Sequence, residues 1–279
     1  MPDGGVDSGP TDAKKETSPQ DTYVPGCDIT MKCDDPMPPP MSQCIVKFDT
    51  SLVDVNGGPI TAEKVFFCGT NICTPPLTTD AQGKVSTFIC TNFIRGAAKY
   101  LGETRFASFT SLAPMQTMVT IPPLTLVALP AIGVDIPMGS GTVTSNMVSL
   151  TVSGTVTFDP SELMDADLHR FRAVQVPVAK APPGMPSNIQ VLWGLAPVNA
   201  ALKPAAKLTV PNTLSWTANA TVLFFLNGVD GFEMAPPVPY GSWTQIGIGH
   251  VDGAGTSIST DTGVGNGLPM IGMVGLQKM

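Results

Sequence analysis

The chain has 279 residues, enough for one large domain or two ordinary ones, and 43% of them are hydrophobic, so a substantial core can form. Only 13% are charged, while glycine and proline number 28 each, which favours turns and strands over long helices. Residues 1–35 carry five of the seven net negative charges, and the nearly neutral remainder has no basic stripe, which argues against nucleic-acid binding.

Residues 1–42 are predicted to form a flexible tether, acidic at its start and proline-rich at its end. The tract CDDPMPPPMSQC contains four prolines, which favour polyproline II geometry. A stiff spacer is the favoured interpretation, and a proline-rich ligand for a partner domain is the alternative. The opening residues lack the apolar core of a signal peptide, so export would mean that a signal has been removed. No apolar run approaches the roughly 18 residues of a transmembrane helix.

Residues 1–22 resemble a known kind of segment in exported bacterial proteins. Many surface lipoproteins carry an acidic stretch rich in Gly, Ser, Pro and Asp after the cysteine that bears the lipid. The resemblance implies a lipid anchor outside this sequence and a location outside the cell or on the outer-membrane surface.

Six cysteines lie in the first third of the chain. Their spacing lacks the CxxC pairs of most zinc sites, so disulfides are favoured over metal ligands or free thiols, and with them an oxidising compartment. Six cysteines permit 15 pairings. The preferred set has two local bridges and one that ties the first strand to a later one: Cys27–Cys33, Cys44–Cys90 and Cys68–Cys73.

Residues 43–135 are predicted to form a β-sandwich. CIVKFDTSLVDV alternates apolar and polar residues, EKVFFC gives a second strand, and TTDAQGKVSTFI (78–89) gives a turn followed by another strand. At that turn Asp80 is expected to bond the local amides and Gly83 to take a positive φ.

This region is similar to carboxypeptidase-regulatory-like domains, which have a transthyretin-like fold. The resemblance covers about a quarter of the chain, and its matching residues lie between Val53 and Ile89: Gly58, Pro59, Ala62, Val65, Thr79, Asp80, Ala81, Gly83 and Val85. It implies a seven-stranded Ig-like sandwich of a secreted bacterial protein, used as an accessory or adhesion module. Cys68, Cys73 and Cys90 depart from the usual pattern.

Residues 136–279 are predicted to form a second β-sandwich. The clearest strands lie within 195–229, where five apolar residues alternate with polar or small ones: Leu208, Val210, Val222, Phe224 and Leu226. DPSELMDADLHRF (159–171) is the one helix-like segment, with Asp159 as its N-cap. GSWTQIGIGHVDGAG (241–255) predicts a hairpin with Asp252-Gly253 as its turn. The fold class is therefore all-β: two consecutive Ig-like sandwiches after a disordered tether.

Few residues are candidates for chemistry. His169 and His250 are the only histidines, and no G-x-S-x-G elbow accompanies them. Because histidine acts only with a positioned partner, a surface or edge histidine bonded to a backbone carbonyl is the favoured interpretation of each. The acidic residues within 159–167 are interpreted as a helix cap and solvated face rather than a calcium site. The sequence predicts no catalytic residue, metal or cofactor.

Three tryptophans are the candidate ligand-binding residues: Trp193, Trp216 and Trp243. Exposed on one face, they would stack on sugar rings, but their alternation favours packing. Three hypotheses follow. The first is a non-enzymatic exported surface protein in adhesion, envelope structure or protein binding, with protein or glycan partners. The second is a carbohydrate-binding module using these tryptophans, and the third is a hydrolase using His169 or His250.

Overall fold

A computed structural model describes residues 42–102, 104–158, 166–229, 238–263 and 265–279. The described chain is built from strands, with two short 3₁₀ turns at Ala166–His169 and Val178–Lys180. The all-β prediction is confirmed. The predicted tether lies outside the described residues, apart from Ser42, where the first strand begins. Among the described residues no helix is long and apolar enough to cross a membrane.

The first unit has two four-stranded sheets. One has the order β4-β1-β7 with β8 also on β1, and the other has the order β3-β2-β5-β6. Phe67 lies 4.8 Å from Phe48 and 4.9 Å from Phe93 between ring centroids, so side chains of both sheets share one core. The strands are β1 (Ser42–Val53), β2 (Lys64–Cys68), β3 (Leu77–Thr78), β4 (Lys84–Ile94), β5 (Ala97–Tyr100), β6 (Phe109–Leu112), β7 (Met118–Thr120) and β8 (Leu124–Thr125).

The turn before β4 forms as the sequence predicts. Asp80 Oδ1 accepts hydrogen bonds from the amides of Gln82 at 2.9 Å and Lys84 at 2.8 Å. Gly83 has a φ of +71°, and a Cβ added there would lie 2.6 Å from the Leu52 carbonyl oxygen. Glycine is therefore required both by the backbone conformation and by the close approach of β1.

The second unit is one large antiparallel sheet. Ten strands follow the order β10-β11-β15-β18-β17-β16-β20-β14-β13-β9, and β12 and β19 also pair with β15. The strands are β9 (Val134–Asp135), β10 (Ser140–Ser145), β11 (Val148–Ser153), β12 (Thr155–Thr157), β13 (Arg170–Val176), β14 (Val191–Ala196), β15 (Ala201–Pro211), β16 (Thr221–Asn227), β17 (Trp243–Val251), β18 (Ser257–Thr260), β19 (Leu268–Met270) and β20 (Met273–Lys278).

The prediction of two consecutive sandwiches is wrong, because this sheet is nearly closed on itself. Its two ends, β10 and the β9–β13 edge, lie side by side, and the Ala173 amide donates to Ser145 Oγ at 3.2 Å across the seam. The apolar face is thus opposed by the far side of the same sheet rather than by a second one. Alternation predicts which side of a strand is buried but not what covers it.

The individual strands of the second unit agree better with the sequence. The five alternating residues of 195–229 are all fully buried, which confirms that prediction. β15 continues through Pro204 and exchanges partners near that residue. β12 pairs before the proline and β11 and β18 pair after it, while β19 pairs at Ala201 and at Ala206, on either side. The hairpin at 241–255 forms from β17 and β18, with a longer turn in which Gly255, not Gly253, has the positive φ.

The helix-like segment differs from the expectation where it is described. Residues 159–165 lie outside the described residues, Ala166–His169 is a single 3₁₀ turn, and β13 begins at Arg170. Arg172 is buried at 1% exposure, and its guanidinium reaches both carboxylate oxygens of Asp167 at 2.8 Å. The buried charge of Arg172 is satisfied by this carboxylate. The pairing needs Asp167 in the 3₁₀ turn and Arg172 in the strand that follows it.

The two units share a buried interface. Leu192, Val176 and Met273, on outward-facing positions of β14, β13 and β20, belong to the core cluster of the first unit. A Cβ added at Gly194 would lie 2.3 Å from Ala107 Cβ, so the sheets approach closely there. The last strand of the first unit ends at residue 125, and the first strand of the large sheet begins at residue 134. The predicted domain limits, 43–135 and 136–279, stay predictions.

Candidate binding face

The outward side of the large sheet differs between its two halves. The outer side of β13, β14 and β20 packs against the first unit, whereas that of β10, β11, β15, β18 and β17 remains accessible. We call the second half the outer face. Antiparallel register places one row of small polar residues across it: Thr144, Ser149, Thr209, Ser259 and His250.

The hydroxyl groups of this face bond to one another across the strands. Thr144 Oγ1 lies 2.8 Å from Ser149 Oγ, and Thr209 Oγ1 lies 2.8 Å from Ser259 Oγ. The side chains of such rows stand about 5 Å apart on neighbouring strands. The outer face is therefore an ordered, mainly uncharged hydroxyl surface.

A groove of about 810 Å³ crosses the outer face where β15 exchanges its partners. Its apolar lining comes from Pro204 and Ala205 on β15, Ile246 on β17 and Pro269 on β19. Its polar lining consists of hydroxyl, amide and ammonium groups from three strands and one loop: Thr151, Ser153, Lys207, Gln245, Thr262 and Asn266. The groove thus combines an apolar strip with polar groups that can donate and accept hydrogen bonds.

The connection from β18 to β19 forms one side of the groove. Asn266 Oδ1 accepts a hydrogen bond from the Ile248 amide at 3.0 Å, which ties this connection to β17. Gly267 has a φ of +98°, and a Cβ added there would lie 2.9 Å from the Ala206 carbonyl oxygen. Gly267 therefore lets the backbone pass close to β15.

A second hollow of about 560 Å³ continues from the groove and shares Lys207 and Thr262 with it. Here His250 Nδ1 lies 3.0 Å from Asp261 Oδ1, and both side chains are nearly half exposed. The expected partner of His250, a backbone carbonyl, is thus replaced by a carboxylate. Ser259, directly opposite His250 in the register, also lines this hollow.

The hairpin turn beside this hollow is held by one carboxylate. Asp252 accepts hydrogen bonds from the Thr256 hydroxyl at 2.8 Å, the Thr256 amide at 2.7 Å and the Ser257 hydroxyl at 2.8 Å. These hydrogen bonds stabilise the ionised form of Asp252 and so lower its pKa to about 2. The bonds from Thr256 have the largest effect. The carboxylate is therefore committed to the turn.

The three tryptophans lie away from this face. Trp193 is 2% exposed and Trp216 is 8% exposed, while Trp243 is half-buried against the core of the first unit. The Trp216 backbone is bracketed by the Asn212 side chain, which accepts from its amide at 3.0 Å and donates to its carbonyl at 2.8 Å. Packing, the favoured interpretation, describes all three positions, and no sugar-stacking platform can be built from Trp193 and Trp216.

His169 and the described acid of its segment have structural partners. The His169 ring stacks on Phe158 at 4.2 Å between centroids. Asp167 binds Arg172, as described above, and Arg170 at 3.3 Å. The other acids of the predicted cap lie outside the described residues. Among the residues that the structure describes, no group of three or more His, Cys, Asp or Glu could hold a metal ion.

The disulfide Cys68–Cys73 forms as predicted and closes the loop after β2. Cys44 and Cys90 are also disulfide-bonded. Their pairing with each other stays a prediction, and the predicted Cys27–Cys33 bridge lies outside the described residues. Tyr240 of the second unit packs against Cys68, and its hydroxyl donates to the Cys68 carbonyl oxygen at 3.3 Å.

Several polar residues that join the units were missed from the sequence. Asn227 Oδ1 accepts from the Thr110 amide at 2.7 Å, and Asn227 Nδ2 donates to the Thr110 carbonyl at 3.1 Å. Arg95 donates to the Tyr240 carbonyl at 2.9 Å and to Ser242 Oγ at 2.5 Å. Gly267, in the run GVGNG (263–267), was the one local signal of the groove, because a glycine can mark close backbone approach.

Comparison with known proteins adds no relative. No protein-family model matches the chain, and no match was found among curated proteins or among solved structures. The similarity to carboxypeptidase-regulatory-like domains rests on the residues of 53–89 and stays a prediction.

Proposed function

We propose that this protein is a non-enzymatic, exported cell-surface protein that acts by contact, in adhesion, envelope structure or protein binding. The observation that carries the proposal is the contrast between the two halves of the large sheet. One half is buried against the first unit, and the other is left accessible as an ordered face with a groove. A binding surface held on a rigid sheet needs no conformational change to engage a partner.

The contacts between the units support a rigid scaffold. The Asn227–Thr110 pair is buried, with exposures of 2% and 1%, and Arg95 and Tyr240 join the units at a second place. Buried backbone groups that are hydrogen-bonded to a side chain in this way fix one arrangement of the parts, because any other arrangement leaves them without partners. The outer face is thereby held in a fixed orientation to the first unit.

The cysteines support export. Cys44, Cys68, Cys73 and Cys90 are all disulfide-bonded. Structural disulfides persist in oxidising compartments and are rare in the cytosol. The predicted location outside the cell, or on the outer-membrane surface through a lipid anchor, is in keeping with this chemistry.

Labelling of intact cells tests this proposal. A membrane-impermeant amine reagent applied before lysis should label exposed lysines such as Lys64, Lys84 and Lys207 of the native protein, and thiol mapping without reduction should recover the Cys68–Cys73 peptide. A cytosolic protein of the same cells is the control. Labelling only after lysis, or alkylation of Cys68 and Cys73 without reduction, would contradict export.

The His250–Asp261 pair favours one further candidate, a hydrolase. A histidine oriented by a carboxylate can act as a general base, and Ser259 lies on the neighbouring strand. In the described structure, however, the Ser259 hydroxyl bonds to Thr209. If the pair is catalytic, turnover of p-nitrophenyl esters should be lost in His250→Ala and Ser259→Ala. Equal background rates in both variants and the unaltered protein would reject this candidate.

A further inference from the structure

We propose that the groove of the outer face binds a neutral oligosaccharide through hydroxyl and amide side chains rather than through tryptophan. The inference rests on the proposed contact function and names the class of ligand that this face would take. The proposed site contains none of the three tryptophans, which pack elsewhere in the structure.

The dimensions of the site fit a short stretch of sugar units. Ligand pockets have volumes of roughly 300–1,000 Å³, and the groove, at about 810 Å³, falls in this range. The hollow beside His250 extends it in one direction through Lys207 and Thr262. Two adjoining hollows that share Lys207 and Thr262 offer room for successive rings of one chain.

The apolar and polar linings match the two kinds of surface on a sugar. The C–H faces of a pyranose ring are apolar, and Ile246, Pro204 and Pro269 offer apolar contacts. The hydroxyls around the ring both donate and accept, and so do the amides of Gln245 and Asn266 and the hydroxyl of Thr151. This pairing of surfaces is what a polyhydroxylated ligand requires.

The charge of the site favours a neutral ligand. Among the described residues that line the groove and the hollow, Lys207 is the one lysine or arginine. The carboxylate of Asp261 is held by His250, and that of Asp252 by its own turn. A polyanion would meet a single fixed cation here, which is too little for the charge-assisted recognition that such ligands need.

The strand pairing argues against an extended peptide as the ligand. Peptides that bind sheets commonly add to an open edge, where unpaired backbone groups accept them. Beside the groove, Lys207 of β15 pairs with Thr151 of β11, and Ala206 of β15 pairs with Leu268 of β19, so β15 has a paired neighbour on both sides there. The face therefore presents side chains, and a ligand with many hydroxyl groups can use them.

Amide shifts of the ¹⁵N-labelled protein test the proposal, with cello-, malto-, chito- and mannohexaose as probes. The titration runs to about 10 mM, above the millimolar dissociation constants expected without aromatic stacking. At least one probe should shift the amides of Lys207, Gln245, Ile246 and Asn266 in a saturable way. Gln245→Ala should weaken that binding about fivefold, the value of one hydrogen bond.

The matched control is Gln82→Ala, which removes an exposed glutamine from the first unit and should leave the affinity unchanged. If no hexasaccharide gives saturable shifts while the spectrum remains that of the folded protein, the ligand class is wrong. The same holds if the shifts lie outside the groove, or if Gln245→Ala binds as well as Gln82→Ala. Surface labelling of intact cells is independent of these results, so the contact function can stand while the sugar proposal fails.

Discussion

Replacing Asn227 by alanine tests whether the two units depend on each other. The substitution removes both hydrogen bonds to Thr110, a residue that is 1% exposed, and leaves the Thr110 amide and carbonyl buried without these partners. Each unsatisfied group costs about 1–3 kcal/mol, so we expect the free energy of unfolding to fall by about 3 kcal/mol. For a chain of this size that is a fall in melting temperature of about 6–12 °C.

Urea unfolding, followed by tryptophan fluorescence, measures the effect. Asn227→Asp keeps the shape but replaces the donor to the Thr110 carbonyl by an oxygen, so it should destabilise the protein at least as much. Asn188→Ala is the control, because Asn188 is exposed and bonds only at the surface to Gln277. Its effect should stay within about 0.5 kcal/mol. A loss below about 1 kcal/mol in both Asn227 variants would refute the reasoning.

Three further predictions concern the disulfide and two titratable groups with shifted pKa values, Asp252 and Tyr240. Replacing Cys68 and Cys73 together by serine should lower the free energy of unfolding by about 2 kcal/mol, the loop-entropy value for so short a loop, in denaturant titrations without reductant; an unchanged midpoint would show that the bridge adds nothing. The pKa of Asp252 is lowered from 3.8 to about 2, so its contribution is complete above pH 3.8 and is lost as pH falls towards 2. Amide exchange of the β17–β18 hairpin should therefore accelerate as pH falls from 3.8 towards 2, and Asp252→Asn should abolish this pH dependence. If the unaltered hairpin is equally protected at pH 3.8 and at about pH 2, Asp252 does not hold the turn. Burial raises the pKa of Tyr240 above its ordinary value of 10, so stability should be complete below pH 10 and decline above it as the unfolded chain ionises. Tyr240→Phe should lose less stability than the unaltered protein between pH 9 and pH 11 in thermal melts, and identical profiles would contradict it.

The sequence predicts features that depend on neighbouring residues. The two-residue period identified Leu208, Phe224 and Leu226 as buried, because a strand with one covered face alternates whatever covers it. The Asp80 turn was also predictable, since its hydrogen bonds reach no further than Lys84. The Cys68–Cys73 bridge follows from the same short separation along the chain.

Features that depend on topology could not be predicted. The closure of the large sheet needs β10 to lie beside β13, and alternation carries no information on curvature. The Asn227–Thr110 pair joins residues 117 positions apart, so neither residue signals the other in the sequence. The strand pattern indicated all-β structure in both parts of the chain, but it did not indicate which residues join them.

The candidate site shows the same limit. His250 was recognised as a candidate, yet its partner Asp261 comes from the connection after β18, and only the hairpin register brings them together. The groove takes its lining from β11, β15, β17 and the stretch that leads into β19, which are four separate parts of the chain. The tryptophans were candidates for sugar binding because the sequence does not show whether they are exposed. Their burial depends on how the sheets pack, which only the structure shows.

Differential scanning calorimetry of the whole chain under non-reducing conditions tests the central claim, that the two units form one rigid body carrying the outer face. A single transition is predicted, with a van't Hoff enthalpy close to the calorimetric enthalpy, because loss of either unit exposes the shared core and the Asn227–Thr110 pair. Two separable transitions, or a van't Hoff enthalpy well below the calorimetric one, would contradict it.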